Sequence, residues 1–138
     1  MFLIDTNVIS EARKGARTNP GVLRFFETCE AQSTPLYLSA ITVGELRRGV
    51  SLIAHRGDAP QAQRLERWLT ALIEQFRHHI LDLDADAAQV WGHLRVPNPE
   101  NELDKQIAAI AMVHGLTVVT RNVANFQGCP VEILNPFE

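Results

Sequence analysis

Short strand-like runs alternating with amphipathic helical stretches predict an α/β fold on a central parallel sheet of four to five strands. Three observations carry this. Residues 2–4, 36–38, 80–83, 116–120 and 131–134 are short runs with strand character. The stretches between them place apolar residues at helical spacing. The run at 116–120 is almost without polar interruption, as expected inside a parallel sheet.

Taken in order, Phe2, Leu3 and Ile4 form the first strand, and Asp5-Thr6-Asn7 breaks it. Val8, Ile9 and Ala12 resume at helical spacing. Residues 14–18 read as a loop. Asn19-Pro20 is a cap followed by proline at the first helical position. Val22, Leu23, Phe25 and Phe26 supply that helix's buried face, and Ser33-Thr34-Pro35 ends the unit. After the second strand, Thr42 and Glu45 have the capping-box spacing, with Val43, Leu46, Val50 and Ile53 on one side of the helix. Residues 60–77 form the clearest helix. Leu65, Trp68, Leu69, Leu72, Ile73 and Phe76 make a wide apolar stripe suited to core or subunit packing. Asp84 caps the next helix, which carries Ala87, Val90, Trp91 and Leu94. Residues 96–101, with two prolines, form a loop. Residues 103–114 form an apolar helix closed by Gly115. Residues 121–128 are a turn segment before the last strand.

At 138 residues with 46% hydrophobic content, the chain is one domain, 1–138, with an ordinary core. No run is long enough to span a bilayer and no signal peptide is evident, so a cytoplasmic setting is expected. Cys29 and Cys129 are then expected to be reduced thiols, and no zinc-ligand spacing occurs. The net charge of -3 argues against a general polyanion binder. Its distribution is uneven: residues 40–79 carry six Arg against four acids, and residues 80–138 carry eight acids against three bases. A basic middle beside an acidic end suits a solvated surface, or phosphate contacts flanking an acidic metal pocket.

Three carboxylates share one kind of place. Asp5 follows strand one, Glu45 lies early in the helix after strand two, and Asp104 begins the helix before strand four. In open α/β sheets, ligands bind beyond the carboxyl ends of strands. Each acid also has a local explanation. Asp5 can cap a helix. Glu45 can complete its capping box or pair with Arg48. Asp104 can complement a helix N-terminus. Such roles are worth about 1 kcal/mol each. Three ionised carboxylates about 5 Å apart would repel by roughly 3 kcal/mol per pair at an effective dielectric near 20. Convergence would therefore call for protonation or a hard cation, Mg²⁺ or Mn²⁺.

The motifs match a family. Residues 3–10 (Leu-Ile-Asp-Thr-Asn-Val-Ile-Ser), 38–49 around Glu45, 104–111 around Asp104, and 119–126 (Val-Thr-Arg-Asn-Val-Ala-Asn-Phe) occur in the order of four motifs. With these the chain resembles the PIN-domain ribonucleases, specifically VapC/FitB-type toxins of type II toxin–antitoxin systems. The resemblance implies a three-layer α/β/α sandwich and a shared metal pocket for Asp5, Glu45 and Asp104. It implies Mg²⁺-dependent hydrolysis of an RNA phosphodiester, typically in tRNA or other structured RNA. One or two ions would lower the pKa of a bound water and neutralise the phosphoryl oxygens. It also implies a cognate antitoxin and a homodimer or toxin–antitoxin hetero-oligomer.

The fourth motif departs from the pattern, since Asn122 and Asn125 stand where family members carry an acid at one or the other. An amide oxygen can ligate or hold a water, but without charge. Asn122 is the better candidate, because it leaves the strand end directly; both asparagines also suit a plain turn. Thr6 and Thr120 are candidates to orient a ligand or water, and Arg47, Arg48 and Arg121 to hold the RNA backbone. The alternative is a catalytically weakened PIN domain acting as an RNA- or antitoxin-binding regulatory module. A haloacid-dehalogenase-type phosphatase needs an acid where Asn7 stands, and no Gly-rich phosphate loop occurs.

Overall fold

β1 (Phe2–Ile4) is the strand against which the rest is registered. It pairs in parallel with β2 (Leu36–Ser39) on one side and with β4 (Thr117–Val119) on the other. β3 (Ile80–Leu81) extends the sheet beyond β2, and β5 (Ile133–Leu134) extends it beyond β4. The computed structural model describes residues 1–138, and its sheet is wholly parallel, in the order β3-β2-β1-β4-β5. Strand order reverses between β1 and β4, so a crevice opens beyond their carboxyl ends.

Strand side chains alternate between the two faces. Ile4, Leu38 and Val119 point into one core with α1 (Thr6–Ala12), α2 (Pro20–Ala31), α3 (Ala40–His55) and α4 (Ala59–Gln75). Leu3 and Val118 point into the other, with α5 (Ala85–Leu94) and α6 (Glu102–His114). The result is the expected three-layer α/β/α sandwich. On α6, Ile107 to Ala111 are all fully buried, which makes it the best-anchored helix. It ends where Gly115 takes a left-handed conformation (φ 66°), the backbone state that favours glycine there.

Several boundaries differ from those read in the sequence. α3 begins at Ala40, and its cap is Ser39, whose Oγ accepts from the Thr42 N–H at 3.0 Å. Thr42 therefore lies inside the helix, and its capping box with Glu45 does not form. β3 stops at Leu81 rather than 83. Of the expected inner face of α2, Val22 is buried and Phe25 and Phe26 pack half-buried against the core, while Leu23 is 41% exposed and Cys29 is buried in addition. The apolar stripe of α4 enters the core through Leu69, Leu72 and the following Phe76, while Leu65, Trp68 and Ile73 pack partly buried against it. Both cysteines are free thiols. No helix is long and apolar enough to cross a membrane.

Candidate active site

Asp5 stands where β1 hands over to α1, at the reversal of strand order. Its backbone N–H donates to the Val119 carbonyl at 2.9 Å, which ties the end of β1 to the end of β4. Its side chain is 3% exposed and fully engaged. Oδ1 accepts from the Thr6 N–H at 2.8 Å; Oδ2 accepts from the Thr120 hydroxyl at 2.8 Å and the Asn7 amide at 3.1 Å. Burial pushes its carboxyl pKa up, and these three hydrogen bonds pull partly back. Asp5 is thus a helix cap, one of the two roles that the sequence offers it, and its second oxygen is held by the Thr120 and Asn7 side chains.

Glu45 reaches the same place from the second turn of α3. Thr6 Oγ1 lies 2.6 Å from Glu45 Oε1 and 3.2 Å from Thr42 Oγ1. A hydroxyl has one proton, and the carboxylate, being closer and charged, takes it. Glu45 forms no ion pair with Arg48. Burial raises its pKa first; the Thr6 bond lowers it and the charge of Asp5 raises it further. Asp104 sits half-buried in the first turn of α6. Its pKa is raised to about 6, by burial, then by the charge of Asp5 and, more weakly, that of Glu45, against a favourable hydrogen bond from the Asn125 amide. Glu45 therefore senses the charge of Asp5, and Asp104 senses those of both Asp5 and Glu45.

The four flanking candidates divide. Thr6 and Thr120 hold Glu45 and Asp5 as described, and Thr120 Oγ1 also accepts from the Asn122 N–H at 3.0 Å. Asn122 itself is exposed and caps nothing with its side chain. A 3₁₀ turn over Val123–Phe126 buries Phe126 and leaves Asn125 half-buried, on the side where it lowers the Asp104 pKa, whereas Asn122, the better candidate from sequence, lies exposed.

The arginines also separate. Arg47 is occupied by a two-point pair with Glu66 of α4, at 2.9 and 2.8 Å. Arg48 is exposed and unpaired. The Arg121 N–H donates to Asn7 Oδ1 at 2.9 Å. Asn7 is the residue that sequence reading missed. Its amide bridges Asp5 Oδ2 and Thr120 Oγ1 while its carbonyl holds the Arg121 backbone, so one side chain stitches the ends of β1 and β4 together. The only signal for this was its place two residues after a strand-ending acid.

The donors suit a hard divalent cation: three anionic, all-oxygen side chains whose mutual repulsion such an ion would relieve. No three Asp, Glu, His or Cys side chains are already gathered into a metal-holding group. No buried side-chain polar atom lacks a partner. The fit thus rests on charge and ligand type. An open groove of about 600 Å³ along α5, lined by Ala88, Gln89, Gly92 and His93, brings none of these acids into its walls.

A family model for the PIN domain matches residues 2–127. The chain is 34% identical to Toxin FitB of Neisseria gonorrhoeae, over 99% of both chains. It is 33% identical to VapC ribonuclease Y4jK of Sinorhizobium fredii, over all of this chain and 99% of that one. The crystal structure of FitAcB from Neisseria gonorrhoeae superposes with a TM-score of 0.85 at 33% identity, over 99% of this chain and 98% of that one. The chain therefore belongs to the PIN-domain family, among the VapC/FitB-type toxins of type II toxin–antitoxin systems.

Proposed function

We propose that the protein is a Mg²⁺-dependent endoribonuclease toxin, cutting tRNA or another structured RNA and neutralised by a cognate antitoxin. What supports this reading is membership of the VapC/FitB-type toxins, together with a buried Asp5 at the reversal of strand order and an Asp104 pKa raised first by burial and then by the charges of Asp5 and Glu45. When bound, a divalent ion supplies an activated water and neutralises charge on the phosphoryl oxygens. Asp5, Glu45 and Asp104 would hold it, and Mn²⁺ would serve in its place.

The chain's own groups do the positioning. Thr120, Asn7 and the Thr6 N–H fix Asp5 in one orientation, so no ordering is required when RNA arrives. The Thr6 hydroxyl aims Glu45. Arg121, whose backbone N–H is held by Asn7, would meet the backbone of the substrate. No protein nucleophile is needed. A homodimer or toxin–antitoxin hetero-oligomer fits the toxin class to which the chain belongs.

The test is cleavage of total tRNA by the purified, antitoxin-free protein. Cutting is expected with Mg²⁺ or Mn²⁺ and should cease in EDTA; undiminished cutting in EDTA would refute the metal mechanism.

A second reading rests on the amide beside Asp104. Where an acid is missing from the fourth position, metal binding weakens and a binding or regulatory module becomes the alternative. Asn125→Asp is then the informative variant. A fourth carboxylate is expected to tighten Mn²⁺ binding by about tenfold in calorimetry, one added charged ligand at roughly 1.4 kcal/mol. Asn122→Asp, on the exposed side, should leave it unchanged. Equal behaviour of the two variants would remove Asn125 from the site.

A further inference from the structure

None of the three cations of the acidic C-terminal part has an ionic partner. Residues 80–138 hold eight acids and three bases, Arg95, Lys105 and Arg121. Lys105 is buried, with its ammonium donating to the Asn98 carbonyl. Arg95 and Arg121 form no ion pair, despite the surplus of acids around them in sequence. Each lies instead over an aromatic ring. The Arg95 guanidinium is 4.6 Å from the centre of the Trp91 ring, and that of Arg121 is 4.9 Å from the centre of Phe137.

Each pair is tied by a hydrogen bond to a segment that carries one of the acids. Trp91 and Arg95 are one turn apart at the end of α5, so they share a face. The Trp91 indole N–H donates at 3.2 Å to the carbonyl of Glu102, two residues before Asp104. Arg95 spends only its Nε, on the Pro99 carbonyl at 3.5 Å; its two terminal amino groups have no partner in the protein. On the other side, the Arg121 backbone is fixed to Asn7, next to Asp5.

We propose that Arg95, steadied on Trp91, grips an RNA phosphate on the Asp104 side of the acids, opposite Arg121 on Phe137 at the Asp5 side. This rests on the ribonuclease reading above. The physical need is plain: a polyanion approaching three carboxylates is repelled, and a cation on each flank offsets that repulsion. A guanidinium matches a phosphate with two parallel N–H donors, and one already held against a ring loses less freedom on binding. The aromatic ring steadies the cation without neutralising it, as a carboxylate partner would.

The experiment compares wild type with Arg95→Ala, Arg95→Lys and Trp91→Leu in cleavage of total tRNA with Mg²⁺, at several salt concentrations. Arg95→Ala is expected to raise KM by about tenfold with little change in kcat, because one charge-assisted hydrogen-bonding group is removed from the bound substrate. The slope of log(kcat/KM) against log[salt] should flatten by roughly one unit. Arg95→Lys should restore the slope but only part of the KM, because it keeps the charge and gives up the fork. Trp91→Leu should raise KM less than Arg95→Ala does. A wild type that cuts tRNA and an Arg95→Ala that matches it in KM and salt slope overturn the inference alone. A wild type that leaves tRNA intact overturns the ribonuclease reading and the inference with it.

Discussion

Asp5→Asn is expected to abolish RNA cleavage while leaving the fold in place. The substitution removes the carboxylate proposed to hold the metal at the point where strand order reverses, and the loss should be at least about 10³-fold in rate. The fold should survive for local reasons. Asn caps a helix about as well as Asp. Exchanging a buried charge for a neutral amide also relieves the burial that pushes the Asp5 pKa up. Against this, Asp5 accepts on both oxygens, from Thr6 on one and from Thr120 and Asn7 on the other. An amide NH₂ must face a donor on one side, at about 1 kcal/mol. The net change in Tm should stay within a few degrees, read by circular dichroism beside the cleavage assay. Asp5→Ala is the contrast, since it leaves all three donors without an acceptor and should cost about 2–3 kcal/mol. Cleavage by Asp5→Asn within tenfold of wild type would remove the carboxylate from the chemistry. Loss of activity only together with loss of fold would make Asp5 a cap and nothing more.

How much of this was legible in the chain varies with the range of the interaction involved. The strands and the place of Asp5 are local, because an apolar run followed by Asp-Thr-Asn announces both. The sandwich follows from alternation of strand and helix. The start of α3 was not. Ser39 and Thr42 are both good caps, and Thr42–Glu45 has the better local pattern. Packing chose Ser39, which is fully buried at the end of β2. That choice frees Glu45 from a capping box and leaves it to Thr6, 39 residues away. Asn7 bridging to Thr120 and the Arg47–Glu66 pair are likewise bonds between distant segments, with no periodicity to reveal them. Asn125 is half-buried and Asn122 exposed because Phe126 seeks the core and turns the 3₁₀ segment with it. In each case a tertiary contact decided what the local pattern could not.

Asp104→Asn should do two things that seldom go together: stop cleavage and stabilise the metal-free protein near pH 7.5. The Asp104 pKa is raised from 3.8 to about 6, by burial first and by Asp5 next. The folded state then holds this proton more tightly than the unfolded chain does. The stability it confers is complete below about pH 4 and is lost as pH rises through about 6. At pH 7.5 the ionised group is a liability. A shift of about two units corresponds to roughly 3 kcal/mol if unscreened, and solvent access to a half-buried carboxyl cuts this to about 1–2 kcal/mol. The missing attraction to the N-terminus of α6 subtracts about 0.5 kcal/mol. About 1 kcal/mol remains, a rise in Tm of a few degrees. The gain should vanish at pH 4, where wild-type Asp104 is already neutral. Adding Mn²⁺ should reverse the order, raising the Tm of wild type and not that of the variant. Protons compete for the same oxygens, so Mn²⁺ affinity should fall as pH drops below about 6. An acid that merely complemented a helix end would behave oppositely: Asp104→Asn would lower Tm and leave cleavage untouched. That result would detach Asp104 from Asp5 and Glu45 and leave the proposed metal with two carboxylates.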